Sequence, residues 1–277
     1  MNKDRLIALC HKISNEKQVD FNVVLTYYFL ETILAKIASS PYSHNFVFKG
    51  GFLLSNIIGV ESRTTSDMDF ILEQFKMDKS LLESTLKEIL TDDLVHYEIT
   101  KISEIKDEDP YGGYRIHILC RLDNIRQTIP LDIATGDPIT PKSVSYRYHS
   151  LFQEIDYEIV AYNLETILAE KLETIYRRSF FNTRSKDFYD VYVIYSMEKS
   201  RLDSKKLRSA CEATFSYRQT TLDVVDFQNM IDEMKDDITL ARHWENYQSH
   251  YPYATSISFR DVLEVVQQLL LELWYLI

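Results

Sequence analysis

Residues 46–72 read FVFKGGFLLSNIIGVESRTTSDMDFIL. Phe46-Val47-Phe48 is a short run of strand-forming residues that stops at Lys49-Gly50-Gly51, and residues 52–58 then have the composition of a short helix. Residues 67–72 return to strand character. Side chains alternate across a strand, so Asp67 and Asp69 project together while Met68 and Phe70 point the other way. Further along, Pro130-Leu131-Asp132-Ile133 sets one acid among apolar strand residues. A glycine pair opening a helix lets backbone N–H groups cradle a phosphate, aided by the helix dipole. Two carboxylates on one face offer the hard oxygen ligands that Mg²⁺ takes, and a third on a neighbouring strand allows a second ion. Taken singly, Gly-Gly is usually a turn and Asp-x-Asp a solvent-facing strand edge. Their order along the chain is the apparatus of metal-assisted nucleotide transfer.

Outward from this stretch, residues 21–37 lack Gly and Pro and carry dense apolar positions at helical spacing, which predicts a largely buried helix. A helix is expected over 79–90 and strands over 96–102, 114–122 and 128–134. Asp109-Pro110-Tyr111-Gly112-Gly113 supplies turn chemistry between the first two strands. The first half is thus an α+β domain with a mostly consecutive sheet. Beyond Pro141 the pattern is mainly helical, over 163–178, 186–197, 203–215, 221–234 and from about 258. The expected division is a core domain at 1–140 and a mainly helical domain at 141–277 that completes an active-site cleft.

Composition narrows the class. With 277 residues, 45% hydrophobic and 26% charged, the chain is ordinary globular protein, and six Gly and six Pro give no composition for a long linker. Cys10, Cys120 and Cys211 are odd in number and scattered, against a disulfide framework or a Cys-based zinc site, so the cytoplasm is the expected compartment. The N-terminus lacks the apolar region and cleavage site of a signal peptide. The apolar stretch 262–277 is broken by Glu264, Gln267, Gln268 and Glu272 and reads as a packed terminal helix, so no membrane partner is expected. The net charge of -11 opposes nonspecific attraction to nucleic acid. Residues 140–220 nevertheless carry 13 Lys and Arg against 11 Asp and Glu, whereas the rest carries 18 against 31. No HExxH, GxxxxGK[ST] or GxGxxG pattern occurs.

Phe48-Lys49-Gly50-Gly51, Arg63-Thr64-Thr65-Ser66-Asp67-Met68-Asp69-Phe70, Ala169-Glu170-Lys171-Leu172 and Arg184-Ser185-Lys186-Asp187-Phe188-Tyr189-Asp190-Val191-Tyr192 together resemble the AbiEii/AbiGii toxin family. These are nucleotidyltransferases of type IV toxin–antitoxin and abortive-infection systems, within the DNA polymerase β-like superfamily. The resemblance spans about residues 45–195 and does not reach the helical tail. It implies a nucleotidyltransferase-type mixed sheet with flanking helices and a helical C-terminal domain. It also implies a nucleoside triphosphate substrate, a cognate antitoxin, and the 3′ end of tRNA as acceptor. Two departures stand out: the spacer between Gly51 and Asp67 is slightly long, and Gly51 replaces a common serine, removing a hydroxyl contact to phosphate.

Lys171 can be read independently of the resemblance. On the helix over 163–178 it falls inside the stripe formed by Leu164, Ile167, Leu168, Leu172 and Ile175, where a lysine is costly unless an anion or carboxylate meets it. The alternative is a lysine snorkelling past the core edge. In the family this position binds nucleotide phosphate. Asp187 and Asp190 lie on the buried side of the next helix, which suggests pairing with Lys171, Arg184 or a metal; a buried salt bridge serving structure alone competes with a functional role. Lys49 and Arg63 flank the pocket and are expected to meet triphosphate. The full reading assigns two Mg²⁺ ions to Asp67, Asp69 and Asp132. Gly50 and Gly51 receive triphosphate oxygens, and Lys171 and Asp187 are catalytic, with Asp190 beside the nucleotide. Alternatives are a protein or small-molecule acceptor, a catalytically silent nucleotide-binding module, and a metal-dependent nuclease.

Overall fold

The computed structural model describes residues 1–92, 94–105, 112–152 and 156–274. The expected turn residues Asp109, Pro110 and Tyr111 lie outside them. The chain opens with two helices, α1 (Lys3–Lys17) and α2 (Phe21–Ala38), whose first turns are capped by the side chains of Asn2 and Asp20. There follow β1 (Phe46–Lys49), α3 (Gly50–Ile58), β2 (Met68–Leu72), α4 (Lys79–Ile89), β3 (His96–Ile105), β4 (Gly113–Leu122), β5 (Ile125–Ala134), β6 (Val144–Tyr148) and β7 (Tyr157–Ala161). The remainder is helical: α5 (Leu164–Arg178), α6 (Ser185–Glu198), α7 (Ser204–Tyr217), α8 (Val224–Met234), α9 (Ile238–His250) and α10 (Phe259–Trp274).

The seven strands form one mixed sheet in the order β3-β4-β5-β2-β1-β7-β6. β1 with β2, β3 with β4, β4 with β5 and β6 with β7 pair antiparallel, while β2 with β5 and β1 with β7 pair parallel. Along β5 the odd positions Ile129, Leu131 and Ile133 are fully buried while Asp132 is half-buried, the alternation expected of a sheet with one covered face. The covered face meets α2, where the Gln127 amide donates to the Thr26 hydroxyl at 2.9 Å. Phe46, Phe48, Phe52 and Phe70 fill the core beneath β1 and β2, with Phe46 and Phe70 packed edge to face at 5.7 Å between centroids.

α2 is, among the described residues, the one helix long and apolar enough to cross a membrane. More than half of it is buried inside the protein, as its apolar spacing predicts for a core helix. It also carries a buried acid, Glu31, which accepts hydrogen bonds from the Leu151 backbone N–H at 2.8 Å, the Tyr148 hydroxyl at 3.2 Å and the Ser150 hydroxyl. Burial pushes the Glu31 carboxyl up to about 7 even though these donors favour its charged form.

Two compact units result, and the chain passes between them more than once: residues 1–136 and 143–161 make the first, residues 137–142 and 162–277 the second. The single division at 140/141 expected from sequence is therefore displaced, because β6 and β7 return to the sheet through β7 beside β1. In the second unit α5 packs on α6 and α7, and α10 on α6, α7 and α8. α6 buries Phe188, Tyr189, Val191, Val193, Ile194 and Tyr195, which accounts for its apolar circumference. The terminal helix packs as expected, with Val262, Leu263, Val266, Leu269, Leu270 and Leu273 buried. Helices α1 and α9 are additions to the sequence reading.

Candidate active site

The pairing of strands sets a row of polar residues across the sheet of the first unit. Lys49 on β1 is in register with Asp69 on β2, Asp69 with Asp132 on β5, Asp132 with Arg115 on β4, and Arg115 with Ser103 on β3. Register partners share a face, so three of the expected residues, Lys49, Asp69 and Asp132, are neighbours although up to 83 positions separate them in sequence. Asp67 lies two positions before Asp69, half-buried like it, with Met68 and Phe70 buried on the opposite face.

Gly50 begins α3 with φ +75°, a conformation other residues adopt with strain, and a Cβ there would overlap the Asp69 carboxylate. The missing side chain is what lets the helix start close against Asp69. A Cβ on Gly51 would stand 3.1 Å from the Thr65 hydroxyl and 3.2 Å from the Arg63 guanidinium, so the glycine pair, Arg63 and Thr65 converge. Arg63 is buried and donates to the Thr64 carbonyl; the Thr65 hydroxyl donates to Asp67. Tyr27 braces this loop from α2, accepting from the Thr65 backbone N–H at 3.1 Å and sharing a 2.6 Å hydrogen bond with the Ser55 hydroxyl.

Arg115 was not expected. Its Nε and Nη2 donate to the two oxygens of Asp132 at 2.7 and 2.6 Å, a bidentate pair. Those hydrogen bonds, together with the nearby charges of Asp132, Asp67 and Asp69, hold the guanidinium above its ordinary value. One cation therefore already sits in the field of all three carboxylates. A sequence signal for it exists: the two-residue turn Asp123-Asn124 pairs Leu122 with Ile125, and counting back along both strands from that pair brings Arg115 opposite Asp132. Among the described residues no three His, Cys, Asp or Glu side chains cluster closely enough to enclose an ion by themselves. The donor set still suits Mg²⁺, which is commonly held by one or two carboxylates with substrate phosphate oxygens completing the shell.

In the second unit Lys171 donates to Asp187 at 2.6 Å and pairs with Asp190 at 3.0 Å, and Arg184 Nε donates to the other oxygen of Asp187 at 2.7 Å. Asp187 and Asp190 are each 1% exposed at the side chain, and Lys171 18%. Burial opposes the charge on Lys171, but the two carboxylates outweigh it and hold the ammonium above the ordinary lysine value. Burial likewise opposes ionisation of Asp187, and Lys171 with Arg184 overcomes it, keeping that carboxyl below the usual range. The lysine inside the apolar stripe and both buried acids thus meet one another. On the same helix Arg177 pairs with Glu173 at 2.8 Å.

A family model described as nucleotidyl transferase AbiEii toxin, type IV TA system, matches residues 32–265, so the likeness extends through the helical tail. Among solved structures, a candidate nucleotidyltransferase from H. pylori superposes with a TM-score of 0.57 at 15% identity, covering 92% of this chain and 96% of that one. JHP933 from Helicobacter pylori does so with a TM-score of 0.55 at 14% identity, covering 91% of each chain. At such identities the likeness is one of fold. No curated protein matches significantly.

Proposed function

Because this chain belongs to the AbiEii family of nucleotidyl transferase toxins of type IV toxin–antitoxin systems, we propose that it transfers a nucleotidyl group from a nucleoside triphosphate to the 3′-terminal hydroxyl of a tRNA. The family makes a nucleoside triphosphate its substrate and an antitoxin its cognate partner. The observation that carries the chemistry is the register of Asp69 with Asp132 beside Asp67, under a glycine pair that only a missing side chain lets approach.

In this reading Asp67 and Asp69 would hold Mg²⁺, with Asp132 as a third ligand if Arg115 released it. Bound there, two ions would polarise the α-phosphate and screen the triphosphate charge. Gly50 and Gly51 turn backbone N–H groups toward triphosphate oxygens at the start of α3, where the helix dipole favours negative charge. Lys49 and Arg63 stand at either side of that cradle. Asp132 accepts the proton of the attacking hydroxyl as its oxygen bonds to the α-phosphorus, and the bond from that phosphorus to the bridging oxygen breaks to release pyrophosphate. Lys171, kept protonated by Asp187 and Asp190, is the remaining cation of this reading. Catalysis is then positioning and electrostatics.

The test is incubation of the protein with total tRNA, Mg²⁺ and each α-labelled nucleoside triphosphate, beside Asp69→Ala. Label in RNA with the wild type alone supports the proposal and identifies the nucleotide. Label in protein or in a small molecule moves the acceptor. A nuclease would shorten the RNA without any nucleotide.

A further inference from the structure

The row that holds Asp132 is one of several crossing the open face of the sheet within the first unit. Two positions before Asp132 along β5 the row is Pro130, His117 and Lys101, and six positions before it the row is Arg126, Arg121 and His96. Register partners share a face, so these basic residues stand on the same side of β3, β4 and β5 as Asp132. The residues between them in sequence, Ile116, Ile118 and Cys120 on β4 and Ile129 and Leu131 on β5, are buried on the other side.

Lys101 reaches this face through a β-bulge. The register shifts between Ile99 and Lys101, leaving Thr100 as the extra residue, its hydroxyl donating to the His117 carbonyl at 3.1 Å. Strict alternation from Glu98 would have turned Lys101 to the opposite side. Arg126 stands directly opposite Arg121, and like charges so placed oppose strand pairing unless an anion meets them. Glu98 answers Arg121, at 2.8 Å. Lys101 and Arg126 are exposed and, among the described residues, have no carboxylate at ion-pair distance.

The face is polar as well as cationic, in a chain of net charge -11. Thr128 is exposed beside Arg126, and none of the exposed large hydrophobic side chains among the described residues lies on β3, β4 or β5. A protein partner would need an apolar centre to its interface, whereas a phosphate backbone needs spaced cations on a polar surface. Six residues of strand at about 3.3 Å each put Arg126 roughly 20 Å from Asp132, room for the nucleotides that precede a 3′ end.

We propose that the open face of β3, β4 and β5 holds the strand leading to the 3′ end of a nucleic-acid acceptor, Lys101 and Arg126 each meeting a phosphate. This rests on the nucleotidyl-transfer reading, which brings the acceptor hydroxyl to Asp132, and adds where the preceding nucleotides lie.

The experiment measures fluorescence anisotropy of a 5′-labelled single-stranded RNA dodecamer with the full chain and, in parallel, incorporation of labelled nucleotide into that RNA. Lys101→Gln with Arg126→Gln is expected to weaken RNA binding about tenfold and to make the logarithmic salt slope shallower by about 1.4, 0.7 for each phosphate. Lys101→Arg with Arg126→Lys keeps both charges and should restore binding. Arg5→Gln with Lys12→Gln removes the same charge from α1 and should leave binding within about twofold of the wild type. If the glutamine pair on the sheet binds RNA and accepts label as the wild type does, the phosphate track is overturned and nucleotidyl transfer stands. RNA binding lost in that pair, with label never entering RNA even for the wild type, would keep the track and sink the transfer. Equal weakening by the α1 pair would assign the effect to net charge and overturn the proposal.

Discussion

At the scale of single residues, Gly50 and Arg115 set what the carboxylates can do. A methyl group at Gly50 would overlap the Asp69 carboxylate and force a positive φ on alanine. Gly50→Ala should therefore destabilise the fold by roughly 1–2 kcal/mol and lower nucleotide incorporation about a hundredfold, read by urea unfolding beside the labelling assay. Arg115 occupies both oxygens of Asp132 and, in the proposed mechanism, would compete with a metal ion for it. Arg115→Gln should tighten Mn²⁺ binding, followed by calorimetry without nucleotide, by about tenfold, which corresponds to about 1.4 kcal/mol. Unchanged or weaker Mn²⁺ binding would remove the competition from the mechanism. Asp67, Asp69 and Asp132 were legible in the sequence because strand side chains repeat every two residues, so a lone acid among apolar neighbours declares its face. Arg115 lay in an expected strand, but its meeting with Asp132 depends on a register counted from the turn at Asp123 and Asn124.

At the scale of elements, two buried polar knots join neighbouring segments and respond to pH in opposite directions. Glu31 ties α2 to the segment after β6, and its carboxyl ionises near 7 in the folded chain against about 4.5 when exposed. The folded state thus binds that proton more tightly, so this group's contribution is full below about 4.5 and is lost as pH rises through 7. Glu31→Gln should match the wild type at pH 5 and exceed it at pH 8 by up to roughly 3 kcal/mol, measured by unfolding at both pH values. Asp187 behaves oppositely. Held below the usual carboxylate range by Lys171 and Arg184, it contributes fully at neutral pH and loses that contribution as acid protonates it. Lys171→Met leaves Asp187 and Asp190 buried without it and should cost about 3–5 kcal/mol in chemical unfolding. The sequence placed Lys171, Asp187 and Asp190 on the buried sides of their helices through 3.6-residue periodicity. It could not choose between phosphate and carboxylate as the lysine's counter-charge, because that depends on how α5 packs on α6.

At the scale of the whole molecule, the charge of -11 confines any nucleic-acid contact to a few cations. For about two phosphates on a single strand, raising salt from about 50 to about 200 mM should weaken RNA binding by about sevenfold. A loss beyond about a hundredfold would point to a broad basic face elsewhere. The sequence by itself determined the α+β class, the order of Gly-Gly, Asp-x-Asp and the later acid, the buried α2 and the helical tail, because these follow from local periodicity and turn chemistry. It missed β6 and β7: β6 carries Val144, Ser145 and Arg147 exposed, so no apolar alternation betrays it, and β7 has only five residues. Tertiary structure decided that these strands return to the sheet, that Lys49, Asp69, Asp132 and Arg115 form one row, and that Lys171 meets two buried acids. Each of these is a pairing between distant segments, fixed by strand register and helix packing, and neither is written in any one stretch of the chain.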